Sequence, residues 1–248
     1  MRILKRILVL LVFVCSIFML VGCREKENDG NKNVKIGILQ LVSHGALDQA
    51  REGFIEGLKQ AGYKDGENCE IIVKNPEADT PTLNQMSTEL VRTCDIVLAI
   101  ATPAATAVQA ACEATGSNIP VLFTAVTDAV EAKLVASNEK PGGNITGTSD
   151  MNPVAAQVDL IKELIPGVKK FGVLYNVSEV NSQVQASLAK EEAAKHGIEV
   201  IELTVSDAQA LASTTRQMIN QGAEAIYLPT DNLIAKNMPA VTDRKSVV

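Results

Sequence analysis

The length, composition and charge of the chain limit what it can be. It has 248 residues, of which 46% are hydrophobic, 21% are charged and 3% are aromatic, and its formal net charge is −6. This length is enough for one large domain or for two lobes with a real hydrophobic core. The acidic balance and the scarcity of aromatic side chains argue against a nucleic-acid-binding protein. The presence of only two His argues against a His-rich metal site.

Residues 1–22 have the pattern of a lipoprotein signal peptide. Three basic residues, Arg2, Lys5 and Arg6, precede an apolar run over residues 7–22. As a helix this run would cover about 24 Å, which is short of the roughly 30 Å hydrocarbon core of a bilayer. We therefore interpret it as the apolar region of a signal peptide rather than as a membrane span.

The apolar run ends in Leu20-Val21-Gly22-Cys23, which resembles the bacterial lipobox. In a lipobox the Cys thiol takes a diacylglycerol before cleavage. This predicts a protein anchored through Cys23 to the lipid bilayer, on the outer face of the plasma membrane at the bacterial cell surface or in the periplasm. Residues 23–33 are polar and charged, as in a flexible tether. Cleavage removes three basic residues and no acidic ones, so the formal charge falls from −6 to −9. The alternative is an ordinary secretory signal with an accidental Cys.

Three cysteines follow the tether: Cys69, Cys94 and Cys112. Their spacing matches neither a C-x-x-C pair nor a zinc site. Cys94 and Cys112 lie in apolar contexts, where a free Cys behaves as a small hydrophobic residue. We predict structural thiols, and the sequence leaves open a disulfide between two of them.

Strand and helix patterns alternate through the first half of the chain. Apolar, β-rich runs predict strands that are covered on both faces. Apolar residues such as Leu47, Phe54 and Leu58 recur at the three- and four-residue steps of a helix face. Gly62 suits the cap of that helix, and Pro103 suits the first turn of another. The predicted strands are residues 34–41, 69–74, 95–100 and 120–124, and the predicted helices are residues 47–61, 82–92 and 103–114.

The pattern starts again after the turn residues 141–144. Repeated βα units imply parallel sheets with right-handed crossovers. We therefore predict two doubly wound α/β lobes, residues 34–144 and 145–242, with a ligand cleft where the carboxyl ends of their strands face each other. The predicted strands are residues 145–149, 170–175, 198–203 and 225–228, and the helices are residues 155–165, 179–196 (with Val180, Val184 and Leu188 on one face) and 207–221.

Six short motifs lie in or after the predicted strands: IGILQLVSH (36–44), AIATPAA (99–105), FTAVTD (123–128), KPGGNITG (140–147), GVLYN (172–176) and PTDN (229–232). Their order and spacing resemble type I periplasmic substrate-binding proteins of ABC importers, and more closely the tryptophan/tyrosine-type substrate-binding lipoproteins. The resemblance covers about residues 34–237. It implies two doubly wound parallel-sheet lobes with a hinge and an interlobe cleft. It also implies an amino-acid ligand, expected to be aromatic, delivery to ABC permease subunits in the membrane, no cofactor and no metal.

In the first lobe, the residues that follow strands are candidate ligand contacts. Thr127 and Asp128 follow the fourth strand, and Asp128 either pairs with a ligand ammonium or caps the next turn. His44 follows the first strand and either borders the ligand or is a solvated loop residue. A helix N-terminus, whose N–H groups and dipole favour a carboxylate, comprises Thr102, Pro103, Ala104 and Ala105. The alternative for these four is a helix-start signal alone.

In the second lobe, Asp231 and Asn232 lie past a strand end, and we expect them to contact the ligand amino group. His196 ends a helix, where a positive charge favours the helix dipole, so we interpret it as structural. Where the strand at 170–175 meets its helix, the candidate ligand contacts are Asn176, Ser178, Glu179, Asn181 and Ser182. The alternative for these five is ordinary helix capping.

The sequence lacks the usual motifs of catalysis. G-x-S-x-G, H-E-x-x-H, Walker A and G-x-G-x-x-G are all missing, so we predict a binding protein rather than an enzyme. The alternatives are a ligand-sensing surface receptor and a flavodoxin-like surface enzyme. Residues 243–248 do not continue the family pattern, and we interpret them as an artefactual tail after an incomplete, truncated second lobe.

Overall fold

The computed structural model describes residues 33–242. The predicted signal peptide, Cys23 with its lipid, most of the tether and the tail at 243–248 lie outside the described residues. Within the described part of the chain, no helix combines the length and the apolar character needed to cross a membrane.

The first sheet consists of five parallel strands with three helices packed against it. The strands are β1 (Val34–Gln40), β2 (Cys69–Lys74), β3 (Ile96–Ile100), β4 (Val121–Val126) and β5 (Ile145–Ser149), and the helices are α1 (Gly45–Gln60), α2 (Thr80–Thr93) and α3 (Thr102–Thr115). The strand order is β2-β1-β3-β4-β5. The central strands β1 and β3 are mostly buried, which explains their continuous apolar runs.

The strand β5, which we assigned to the second lobe, belongs to the first sheet. Ile145 pairs with Val121, and Gly147 pairs with Phe123 in β4. A Cβ atom on Gly147 would lie 2.0 Å from the Phe123 carbonyl oxygen, so this pairing requires glycine. The predicted lobe boundary between residues 144 and 145 is therefore wrong. We define lobe one as residues 34–149, the crossing segment as residues 150–153 and lobe two as residues 154–242.

The boundary prediction is wrong because a restart of the strand pattern does not require a change of sheet. Sequential strands are usually neighbours in one sheet. The segment between β4 and β5 contains no helix, yet it is long enough to bring the chain back parallel to β4. By pairing with β4, β5 also covers a row of backbone groups that would otherwise form an open edge.

The second sheet has three parallel strands in the described part of the chain. They are β6 (Lys170–Asn176), β7 (Glu199–Val205) and β8 (Ala225–Tyr227), in the order β7-β6-β8. The helices of lobe two are α4 (Val154–Leu164), α5 (Val180–Lys195), α6 (Leu211–Asn220, after a 3₁₀ turn at Ala208–Ala210), α7 (Asn232–Lys236) and α8 (Met238–Thr242). The prediction of two α/β lobes with parallel sheets is confirmed.

Helix α5 buries a different face from the apolar one seen in the sequence. Val180 and Leu188 are exposed by 43% and 39%. The buried residues of the helix are Asn181, Ser182, Gln185, Ala186, Ala189 and Ala193. The alanines allow close packing against the sheet, and the polar side chains at the N-terminal end hydrogen-bond to the loop after β8. Satisfied hydrogen bonds thus decide which face of this helix is buried.

The three cysteines in the described part of the chain are buried and free, as structural thiols should be. Cys94 packs beside Gly37 of β1, where an added Cβ would lie 3.0 Å from the sulfur. Burial raises the pKa of each of the three thiols, which makes them poor nucleophiles.

Candidate functional site

A cavity of about 220 Å³ lies between the strand-end loops of the two lobes. Ligands of open parallel sheets bind beyond the carboxyl ends of the strands, which is where this cavity is. Its polar lining consists of His44, Asp150, Asn181, Thr230, Asp231 and Asn232. A larger surface cavity of about 700 Å³ lies between the C-terminal end of α3 and residues 130–145. We prefer the interlobe cavity because unpaired buried polar atoms belong to its lining residues.

Two buried oxygen atoms of the cavity lining lack a hydrogen-bond partner among residues 33–242. They are Asp150 Oδ1, on the crossing segment, and Asn181 Oδ1, in the first turn of α5. Buried polar atoms are almost always paired, because an unpaired acceptor has lost water without replacement. Burial also raises the pKa of the Asp150 carboxyl above its ordinary value. Both oxygens are therefore suited to accept hydrogen bonds from a bound donor.

The orientation of the Asn181 amide follows from its hydrogen bonds. Its Nδ2 donates to the Thr230 carbonyl at 2.7 Å and to Glu179 Oε2 at 3.1 Å. These two acceptors require the NH₂ group on that side. Oδ1 is therefore the group that remains for a ligand.

Glu179 is buried behind the cavity and holds the loop after β8. Only 5% of the residue is exposed, and its carboxylate accepts from the backbone N–H groups of Asn232 and Leu233 at 3.1 and 3.2 Å. Its pKa is raised, first by burial and then by the negative charge of Asp231. The role of Glu179 in this structure is to fix Asn232 and the start of α7.

Asp231 lines the cavity, but its carboxylate is already occupied. Oδ1 accepts from Ile234 N–H at 3.0 Å and thereby caps α7. Oδ2 accepts from Asn176 N–H at 2.7 Å and from the Ser182 hydroxyl at 2.8 Å. The structure therefore places Asp231 beside the ligand space with its acceptor oxygens directed to lobe two, whereas Asp150 has a free acceptor.

The N-terminal end of α1 offers donors to the same cavity. The first intrahelical bond runs from Asp48 N–H to the His44 carbonyl at 3.0 Å, so the N–H groups of Gly45, Ala46 and Leu47 have no carbonyl partner within the helix. His44 makes no side-chain cap. Ala46 and Leu47 line the cavity. These groups and the helix dipole favour a carboxylate at this end.

His44 connects the two lobes across the cavity. Its Nε2 lies 3.3 Å from Asn232 Oδ1, and the Asn232 amide nitrogen donates to Glu179. Because Asn232 Oδ1 can only accept, His44 Nε2 carries the proton in this contact. His44 lies in the lining of the cavity, and its contact with a ligand stays a prediction.

The other end of the cavity is apolar. Its larger apolar side chains are Leu47, Leu228, Pro229, Ile234 and Met238. The lining contributed by the described residues contains no aromatic side chain. Branched aliphatic and thioether side chains bind a flat apolar group through dispersion contacts, and a methionine sulfur also contacts ring edges favourably.

Several predicted contact residues do not line this cavity. Asp128 accepts from the N–H groups of Val130 and Glu131, both at 3.0 Å, and so caps a turn. Thr102 and Thr127 are buried, and their hydroxyl oxygens lack a hydrogen-bond partner among the described residues. The remaining predicted contacts that lie outside the lining are Pro103, Ala104, Ala105, Asn176, Ser178, Glu179 and Ser182.

The sequence analysis missed Asp150. It lies directly after β5, and a polar residue at the carboxyl end of a strand is the same signal that identifies His44 and Asn232. Because the predicted boundary puts β5 in the second lobe, the sequence does not predict Asp150 beside the end of β4, where the structure has it. The Thr127 hydroxyl is close to Asp150 without meeting hydrogen-bond geometry.

A group of potential metal ligands lies away from the cavity, on α4 and α5. His196 Nε2 is 3.1 Å from both Asp159 Oδ1 and Glu192 Oε1. Two lysines share this cluster: Lys162 donates to Asp159, and Lys195 donates to Glu192. Two cations balance two carboxylates here, so the geometry fits an ion-pair network at the end of α5 and not a metal centre.

Comparisons with known proteins give consistent results. The family model described as ABC transporter substrate binding protein matches residues 35–247. A tyrosine-binding protein of Clostridioides difficile is 42% identical over 250 residues, which cover 96% of this chain and 71% of that protein.

The solved structures that are similar to this chain include two substrate-binding proteins of the same kind. One is the ABC domain from Streptococcus pneumoniae in complex with L-Trp, which is 41% identical with a TM-score of 0.80, covering 86% of this chain and 72% of that one. The other is the ligand-free, open structure of a substrate-binding protein with adhesive properties from Clostridium difficile. It is also 41% identical, with a TM-score of 0.59, covering 85% of this chain and 70% of that one.

Proposed function

Because the chain belongs to the ABC transporter substrate-binding proteins, we propose that it binds one aromatic amino acid in the interlobe cavity and delivers it to a membrane permease. Tyrosine and tryptophan are the ligands named for two similar proteins. In this role the protein makes and breaks no bond. It binds, closes around the ligand and releases it at the permease.

The observation that carries the proposal is the pair of unpaired oxygens, Asp150 Oδ1 and Asn181 Oδ1. An α-ammonium group supplies three N–H donors and a positive charge. Its N–H groups can donate to these oxygens, and its charge compensates the carboxylate of Asp150, which the charge of a neutral or anionic ligand does not do.

The rest of an amino acid matches the rest of the cavity. The free N–H groups of α1 suit the α-carboxylate, and the wall that includes Leu228, Ile234 and Met238 suits an apolar side chain. The volume of about 220 Å³ suits one small molecule. The apolar wall favours tryptophan, tyrosine and phenylalanine over charged amino acids, because burying a second charge without a partner is costly.

The binding proposal is tested by isothermal titration calorimetry with tryptophan, tyrosine, phenylalanine, leucine and glutamate. We expect binding of the aromatic amino acids, weaker binding of leucine and none of glutamate. Indole-propionate, which lacks the amino group, is the matched ligand control, and we expect it not to bind. The absence of binding by every amino acid would refute the proposal.

We also propose that Cys23 is acylated and anchors the protein outside the plasma membrane. The lipobox-like motif and the preceding apolar run support this part of the proposal. Cells that express the chain should incorporate an alkyne fatty acid into it, and Cys23→Ser should abolish the label. Labelling that persists in Cys23→Ser would contradict acylation at this residue.

A further inference from the structure

The two lobes are joined by an ion pair that is separate from the cavity lining. Lys236, the last residue of α7 in lobe two, donates from Nζ to Glu77 Oε2 of lobe one at 2.5 Å. Twelve other ion pairs within residues 33–242 each join two residues of the same lobe. Glu77 and Lys236 therefore make a contact that requires the lobes to be close together.

Lobe one holds Glu77 in position for this contact. Its N–H donates to Asn75 Oδ1 at 2.9 Å, and Asn75 Nδ2 donates to Glu77 Oε1 at 2.7 Å. The neighbouring Ala78 N–H donates to the Leu41 carbonyl at 2.9 Å. Oε1 is thus bound within lobe one, and Oε2 remains for Lys236.

The backbone of this loop is strained, which indicates that its shape is imposed by these contacts. Glu77 and Ala78 have φ values of +53° and +65°. The left-handed region is unfavourable for residues with a Cβ atom, and such strain persists only where surrounding contacts over-determine it. The carboxylate of Glu77 is therefore presented in a fixed place before Lys236 meets it.

The arrangement of the lobes is more similar to that of the tryptophan-bound relative than to that of the ligand-free, open relative. The chain aligns with the tryptophan-bound structure at a TM-score of 0.80 and with the ligand-free, open structure at 0.59, although both are 41% identical to it. A second contact between the lobes, from His44 to Asn232, lies in the cavity itself.

We infer that Glu77 and Lys236 form an interlobe latch, a pair that exists only in the closed arrangement and slows release of the ligand. The inference rests on the proposed function, because retention of a ligand is what the latch would serve. The side chains of the pair are 52% and 39% exposed. Exposed pairs contribute little, so the expected effect on the rate of ligand dissociation is about two- to fivefold.

The latch is tested with Lys236→Gln, Glu77→Gln and the double variant, using Lys195→Gln as the control. Lys195 also pairs with a glutamate, Glu192, but both residues belong to lobe two. Stopped-flow fluorescence measures the rate of tryptophan dissociation. Small-angle scattering of the ligand-free protein measures the radius of gyration, which rises when the lobes open.

We expect each single latch variant to release tryptophan about two- to fivefold faster and to have a larger ligand-free radius of gyration. The double variant should release tryptophan no faster than either single variant, since the pair acts as one unit. Lys195→Gln should change neither the dissociation rate nor the radius of gyration. In about 1 M salt, which screens exposed charges, the latch variants and the unsubstituted protein should have the same dissociation rate and the same radius of gyration.

Equal dissociation rates and equal radii of gyration in Lys236→Gln and the unsubstituted protein would overturn the latch. Additive effects of the two single substitutions would overturn it as well. If no amino acid binds, the proposed function fails, but the scattering comparison still decides whether the ion pair holds the lobes together.

Discussion

Substitution of Asp150 by Asn should have opposite effects on the free and the liganded protein. In the free protein, the carboxylate is partly buried and its Oδ1 has no hydrogen-bond partner. Burying a charged carboxylate costs more than burying a neutral amide of the same shape, and we take a small difference because the residue is only half-buried. Asp150→Asn removes the charge and should stabilise the free protein by about 1 kcal/mol, which raises Tm by about 2 to 4 °C.

The same substitution should weaken ligand binding. A hydrogen bond to a charged group contributes about 1.5 to 3 kcal/mol, and each 1.4 kcal/mol is a tenfold change in Kd. We therefore expect the Kd for tryptophan to rise about 10- to 100-fold. The matched control is Asp128→Asn, which removes the same charge from the neighbouring turn, where the carboxylate only caps backbone N–H groups. Its Kd should stay within about twofold of the unsubstituted protein, since surface substitutions have small effects.

The pH dependence provides a second readout for Asp150. Burial raises the pKa of this carboxyl in the folded, ligand-free protein, so the folded state retains the proton to higher pH than the unfolded state does. The resulting stabilisation is present below the unfolded pKa of about 3.9 and is lost as pH rises through the folded pKa. Asn has no carboxyl proton to lose, so the stability of Asp150→Asn should not show this decrease as pH rises.

The assays are thermal unfolding between about pH 4 and 7 and calorimetric titration with tryptophan, each on the unsubstituted protein and on both variants. The reasoning is refuted if Asp150→Asn lowers the ligand-free Tm and leaves the Kd unchanged. That result would make Asp150 an ordinary structural carboxylate.

Three further predictions concern the framework of the site. Glu179→Ala leaves the N–H groups of Asn232 and Leu233 buried and unpaired, so the free energy of unfolding measured with urea should fall by about 3 kcal/mol; a change below about 1 kcal/mol would contradict this role. Gly147→Ala drives a Cβ into the Phe123 carbonyl and should lower both Tm and tryptophan affinity, while Gly143→Ala, which meets no atom within 4 Å, should change neither; equal behaviour of the two variants would contradict the close pairing of β4 and β5. The three buried thiols, Cys69, Cys94 and Cys112, should react with Ellman's reagent only after unfolding. Rapid reaction of these thiols in the native protein would contradict their burial.

The fold was largely predictable because its signals are local. Apolar runs predict the strands from β1 to β8 within a few residues, and glycine and proline mark helix ends such as those at Gly62 and Pro103. The lobe of β5 was not predictable in this way, because it does not depend on a local signal. A five-residue strand has the same local pattern in either lobe, and its place is decided by which open edge it pairs with.

The site was predictable only in part, for a related reason. Residues after strands, such as His44 and Asn232, could be named because parallel strands end at a common edge. Which of them keep a free polar atom depends on hydrogen bonds between distant segments, as between Asp231 and Asn176. Such long-range hydrogen bonds cannot be predicted from a single sequence. The sequence therefore does not distinguish residues that cap a helix from residues that contact a ligand. The sequence predicts that the N-terminus of α3 borders the ligand, whereas the helix N-terminus in the lining of this cavity is that of α1.

The position of Asp150 on the crossing segment sets an order of events for binding. When two bodies rotate about a short connection, points near it travel a small distance and points far from it travel a large one. Asp150 lies one residue after β5, at the connection itself, so it stays nearly in place while α7 swings. An arriving ammonium group should therefore meet its carboxylate while the lobes are still apart, and Asn232 and Met238 should arrive afterwards. Substitutions at Asp150 then slow the association rate, whereas those on α7 or α8 shorten the lifetime of the complex.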